Sequence, residues 1–189
     1  MSFEIRENSA ENQIVLKSNS PEETAEIGSR LGRQAAAIFA GDRKDQAGSS
    51  GGQSKGGALV VLLGGELGSG KTCLVQGVIN QLIPGSRVTS PTYTFLNDYQ
   101  AEGFIIYHAD LYRLNSAEEL DYLGLYDLLE ESCLLLVEWP ELFREYCSDY
   151  LEIIFEGTGE QGRRLSIRAA GERSGRLMKG LKEYEDTGH

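Results

Sequence analysis

Gly65, Gly70, Lys71 and Thr72 stand in the spacing Gly-x-x-x-x-Gly-Lys-Thr, a combination that handles phosphate. In such a loop consecutive backbone N–H groups turn inward toward phosphate oxygens, and Gly68 and Gly70 allow the backbone to do so. The helix that follows adds its positive N-terminal end. Lys71 has the reach for the β- and γ-phosphates, and the Thr72 hydroxyl is a Mg²⁺ ligand. Ser69 lies within the loop. Cys73 opens the helix, and its apolar neighbours also suit it to the role of a small buried hydrophobe.

Two carboxylates compete for a place beside the metal. Glu138 closes the apolar run Leu134 to Val137, and Asp110 follows the run Phe104 to His108. An acidic group at a strand end serves Mg²⁺ in P-loop folds; the plainer role for either is a surface carboxylate that caps a loop. Lys71, Asp110 and Glu138 are therefore the catalytic candidates, with Asp110 the first choice for orienting the attacking water and Glu66 the second. Trp139, the sole tryptophan, either lines the site or anchors the core. Thr89 to Thr94 carries four hydroxyl side chains besides Tyr93, so Thr92 either senses the γ-phosphate or belongs to an edge strand. With two histidines in the chain, a histidine-built metal site is not expected, and His108 reads as a core or supporting residue.

The phosphate loop does not choose among ATPase, GTPase and small-molecule kinase. A GTPase needs an Asn/Thr-Lys-x-Asp base-reading motif, which this chain lacks; Asp121-x-x-Gly124 matches the other GTPase motif only by letter, inside a helical stretch. A kinase carries an arginine-rich lid, and Arg163-Arg164, the one adjacent pair, opens a strand. A nucleotide-gated binding module is the third reading.

The elements that must position these groups are legible in outline. Ala58 to Leu63 is a continuous apolar run, as in a strand covered on both faces, and Phe104–His108 and Leu134–Glu138 read likewise. Ile14 to Leu16 is a short strand. Ser20, Pro21 and Glu23 occupy the N-cap, first-turn and capping-box positions of a helix. The spacing predicts a helix from Cys73 to Leu82 and another over Ala117–Glu131, broken near Gly124. Tyr150–Phe155 and Arg164–Ala169 form two strands of a hairpin. The fold class is α/β: a single P-loop domain over 1–171, with a mainly parallel sheet flanked by helices and a C-terminal antiparallel hairpin. Residues 41–57 read as a flexible loop insertion, and 172–189 as a polar tail with little to hold it.

The chain has 189 residues, enough for one domain with its own core. Its 18 Lys+Arg against 29 Asp+Glu leave a net charge of −11, which argues against independent binding to nucleic acid or an anionic membrane. No transmembrane run or secretory leader is expected, and three cysteines without a C-x-x-C point to a reducing cytoplasm.

Taken together, the motifs resemble the TsaE (YjeE) family of P-loop ATPases in bacterial tRNA threonylcarbamoyladenosine biosynthesis. They are Ser20-Pro21-Glu22-Glu23-Thr24 with Gly28, Gly64 to Thr72, Ser90-Pro91-Thr92-Tyr93, His108 to Arg113, and Glu138-Trp139-Pro140-Glu141. The resemblance implies an ATPase, slow on its own, that supports the TsaD–TsaB complex in modifying adenosine 37, with tRNA reached through the partners. It implies Thr72 and Glu138 as Mg²⁺ ligands and Gly68 to Thr72 as the phosphate cradle. It also implies Asp110 and Thr92 beside the γ-phosphate. The Ser20–Thr24 segment and Arg163 or Arg164 would flank the adenine.

Overall fold

The computed structural model describes residues 13–47, 57–157 and 162–183. Seven strands form one sheet in the order β1-β7-β6-β2-β5-β4-β3. They are β1 (Gln13–Ser18), β2 (Leu59–Gly65), β3 (Leu96–Ala101), β4 (Phe104–Asp110), β5 (Cys133–Glu138), β6 (Tyr150–Gly157) and β7 (Arg163–Ala169). The inner four, β6, β2, β5 and β4, run parallel. Antiparallel strands finish both sides: β7 and then β1 beyond β6, and β3 beyond β4.

The parallel core follows from the apolar runs. Every residue of β5 is buried, as are the first six of β2, so neither face of these strands meets water. Odd-numbered residues of β2 and even-numbered residues of β4 and β5 point to one face, under α1 (Pro21–Ala47), α2 (Lys71–Leu82) and α5 (Glu172–Glu183). The opposite pleat packs under α3 (Ala117–Tyr122) and α4 (Leu125–Glu130), around Leu120, Leu125 and Phe143. Gly124, at φ 68, separates these two short helices, as the sequence predicts.

Helix α1 starts where expected. The Glu23 N–H donates to the Ser20 hydroxyl at 3.1 Å, while the Glu23 carboxylate reaches back to the Asn19 N–H at 2.8 Å, one residue before the cap. Helices α1 and α2 lie backbone to backbone. A Cβ on Gly28 would stand 2.1 Å from the Leu74 carbonyl oxygen, and one on Gly77 would stand 2.0 Å from that of Ala25. No side chain fits either place.

Three expectations need correction. The expected loop insertion at 41–57 starts too early: α1 runs on to Ala47, tied by Asp42 to Arg173 and Arg176 and by Arg43 to the Glu102 carbonyl. The rest of that segment, 48–56, lies outside the described residues, as does the loop of the C-terminal hairpin at 158–161. Residues 172–183 of the expected tail are held: α5 buries Leu177, Met178 and Leu181 against the core, and 184–189 lie outside the described residues. Its first turn is capped from a distance, the Asp149 carboxylate accepting the N–H groups of Arg173 and Ser174 at 2.8 and 2.9 Å. Finally, Thr89 to Thr94 is no strand; the edge strand β3 begins two residues later. Among the described residues no helix is long and apolar enough to cross a membrane.

Candidate functional site

Parallel strands with helical crossovers gather functional groups at their carboxyl ends, and this sheet does so. β2 ends in Gly65 and passes through the loop into α2 at Lys71. β4 and β5 end together in Asp110 and Glu138, which lie side by side in the strand register. Loop, ammonium, hydroxyl and both carboxylates thus meet at one edge because three adjacent strands end within two residues of one another.

The loop backbone takes the conformations expected of it. Gly65, Gly68 and Gly70 have φ of 125°, 74° and 108°. At Gly70 a side chain is excluded twice, by that angle and by the Arg163 guanidinium, whose Nε would lie 2.8 Å from a Cβ. The Ser69 hydroxyl is buried in the loop with no partner among the described residues. An unpaired buried donor in a glycine-rich loop suits an oxygen-rich anion.

Lys71 is buried, its Nζ donating to the Gly65 and Glu66 carbonyls at 2.8 and 2.9 Å and lying 3.8 Å from the centre of the Trp139 ring. Burial holds this ammonium below the ordinary lysine range, opposed by the nearby carboxylates of Glu138, Asp110 and Glu141. Trp139 therefore lies against Lys71 at the candidate site. It holds a left-handed backbone with φ 58, and its ring also meets Tyr112 at 4.7 Å.

The Thr72 hydroxyl donates to Glu138, 2.8 Å from Oε1 and 3.1 Å from Oε2. His108, fully buried, places Nε2 2.9 Å from the same Oε1. Asp110 is held independently: its Oδ2 accepts from the Ser90 and Thr92 hydroxyls at 2.9 and 2.8 Å, and its Oδ1 from the Tyr112 N–H at 3.1 Å. The exposed Glu66 offers its carbonyl, not its carboxylate, to the site. Thr72 and Glu138 present hard oxygen donors to one point, which fits Mg²⁺, an ion that takes one or two protein oxygens and completes its shell with water and phosphate. No group of three or more His, Cys, Asp or Glu suited to a metal occurs among the described residues.

Around the loop, the two arginines part company. Arg163 Nε donates to the Ser69 carbonyl at 2.8 Å, whereas Arg164, half-exposed on the other side of β7, pairs with Glu156 at 3.7 Å. Ser20 spends its hydroxyl on the helix cap. Thr24 is fully buried, its hydroxyl 2.7 Å from that of Ser18 and 3.1 Å from the Ser20 carbonyl, so it braces this segment from within. The half-buried Cys73 joins the segment to the loop, with Sγ 3.0 Å from the Pro21 carbonyl. Burial pushes its thiol up from the ordinary range. The sequence motifs contain Ser90 and Tyr112 but assign neither a role; the Ser90-x-Thr92 spacing, which aims two hydroxyls at one carboxylate, is the signal for the first.

A parallel core with this loop between its first strand and α2 defines a P-loop α/β domain. The sequence profile of the family described as "Threonylcarbamoyl adenosine biosynthesis protein TsaE" matches residues 18–165. The chain belongs to the TsaE family. It is 43% identical over 84 residues to the tRNA threonylcarbamoyladenosine biosynthesis protein TsaE of Haemophilus influenzae, covering 44% of this chain and 53% of the relative. To the protein of the same name from Bacillus subtilis it is 31% identical over 128 residues, 67% of this chain and 80% of the relative. The match to the Rickettsia felis protein spans 57% of this chain and 64% of the relative, at 38% identity. The chain thus spans less than two thirds of the length of the Haemophilus and Rickettsia relatives. The crystal structure of Bacillus subtilis YdiB shares the fold, with a TM-score of 0.65 at 23% identity over 97% of this chain and 99% of that one.

Proposed function

We propose that this chain is the Mg²⁺-dependent, ATP-binding and ATP-hydrolysing subunit required for threonylcarbamoylation of tRNA adenosine 37, acting with a TsaD–TsaB complex in the cytoplasm. The observation that carries this reading is the Thr72–Glu138 hydrogen bond at 2.8 Å, which joins the end of the phosphate loop to the end of β5. In this reading the loop N–H groups and Lys71 offset the phosphate charge, and Lys71 exchanges its carbonyl partners for phosphate oxygens. Thr72 and Glu138 would hold Mg²⁺, which would supply neutralisation of phosphate charge. Asp110, kept in one rotamer by Ser90 and Thr92, orients the attacking water. Arg163, rather than Arg164, sits with Ser20 on the adenine side of the loop.

An arginine supplied by a partner is one way such sites gain rate. Slow turnover by the isolated chain is therefore expected. The acidic net charge of −11 leaves tRNA contact to the partners.

The test is ATP hydrolysis with Mg²⁺, by the chain alone and with an added TsaD–TsaB complex. Stimulation by the complex supports both the activity and its pathway. Unchanged slow turnover favours a small-molecule kinase or a nucleotide-gated binding module, and tight tRNA binding by the chain alone at physiological salt overturns the assignment of that contact to the partners.

A further inference from the structure

His108 is fully buried in β4, on the pleat that faces α2, and half of its polar capacity is unmet: Nδ1 has no hydrogen-bond partner among the described residues. An apolar side chain at this strand position would leave no such atom, so the imidazole costs the core something that a leucine would not. What it gains is the bond at Nε2. An ionised carboxylate only accepts, so Nε2 carries the hydrogen and donates to Glu138 Oε1 at 2.9 Å. Glu138 is itself buried, and its side chain takes hydrogen bonds from Thr72 on α2 and His108 on β4. The two donors approach from different elements and leave the carboxylate one orientation.

We propose that His108 is the positioning residue of Glu138, holding through Nε2 the carboxylate that with Thr72 would take the divalent cation. This rests on the reading of Thr72 and Glu138 as cation ligands. Partners that orient a ligating carboxylate affect metal affinity by about 10- to 100-fold. The effect should follow the position of the donor rather than polarity or bulk.

Three variants separate these factors. His108→Gln places an amide N–H where Nε2 stands; His108→Asn places it where Nδ1 stands; His108→Leu removes it. The readouts are Mn²⁺ affinity in the presence of ADP, from the electron paramagnetic resonance of free Mn²⁺, and ADP affinity in EDTA by calorimetry. Expected is a loss of Mn²⁺ affinity of about 10- to 100-fold in Asn and Leu, largely restored in Gln, with metal-free ADP affinity unchanged in all three. Should Leu fail to fold, the Gln–Asn difference carries the test. Gln, Asn and wild type with the same Mn²⁺ affinity would overturn the assignment of His108 alone. A wild-type chain that binds ADP without regard to Mn²⁺ would overturn the cation reading, and this inference with it.

Discussion

Thr72 and Glu138 are 66 residues apart in sequence, and the hydroxyl of the first donates to the carboxylate of the second at 2.8 Å. The contact spans the crevice between the first turn of α2 and the tip of β5. It sets the distance between the phosphate loop and the acidic strand end, on which any metal-assisted chemistry here depends.

Replacing Glu138 with Gln keeps its size and removes its charge. Loss of one preorganised electrostatic partner costs about 10²- to 10³-fold in turnover. Mg²⁺-dependent ATP hydrolysis should fall by that amount while ATP binding in EDTA stays within a few-fold, as read by steady-state kinetics and calorimetry. Equal loss of metal-free binding would show that Glu138 serves the loop and not a cation.

Lys71→Ala should weaken ATP binding by about 100-fold or more, since hydrogen bonds to charged groups contribute about 1.5–3 kcal/mol each. Equilibrium titration with ATP provides the measurement, alongside a thermal melt to show that the fold survives. Wild-type affinity in this variant would remove the P-loop assignment.

The geometry separates Arg163 from Arg164. Arg163→Ala should lower ATP affinity about tenfold by freeing the Ser69 carbonyl and the cover over Gly70. Arg164→Ala should change it less than about fivefold, because a half-exposed ion pair with Glu156 contributes at most about 1 kcal/mol. Side-by-side titrations of the two variants decide this, and the reverse ranking would contradict it.

The thiols are graded by burial. Cys133 and Cys147 are pushed up to about 12, whereas Cys73 is half-buried beside the loop. At pH 7.5 a maleimide should modify Cys73 slowly and the other two only after unfolding, and bound ATP should protect Cys73; peptide mass analysis reads the sites. The pH dependence follows in sign. Between about 9 and 12 the unfolded chain releases thiol protons that the folded chain retains, so these two groups make stability fall as pH rises. Urea midpoints from pH 8 to 10.5 should fall less steeply in Cys133→Ala than in wild type.

Gly28→Ala and Gly77→Ala should each destabilise the fold by about 1–3 kcal/mol, because the added methyl meets a carbonyl of the facing helix. At about 2–4 °C per kcal/mol for a chain of this size, melting points drop by several degrees. Gly175→Ala, where a Cβ meets nothing within 4 Å, should not lower the melting point.

Much of this was legible because the signals are local. Uninterrupted apolar runs specify strands buried on both faces, glycines around a Lys-Thr pair specify the phosphate loop, and Ser20 with Glu23 specifies the start of α1. These depend on neighbours a few residues away, so β2, α2, β5 and the candidate ligands Thr72 and Glu138 stand where their spacing puts them. The tertiary structure alone decided the rest, for reasons of distance along the chain. Helix α5 looks unsupported in sequence because its cap, Asp149, lies 24 residues before Arg173 and its ion-pair partner, Asp42, 131 residues before. The choice of Arg163 over Arg164 depends on which side of β7 meets the loop, which is set by pairing with β6 and β1. The role of Trp139 depends on the backbone turn that lays its ring under Lys71. Local chemistry named the groups; only packing between distant segments could say which of them touch.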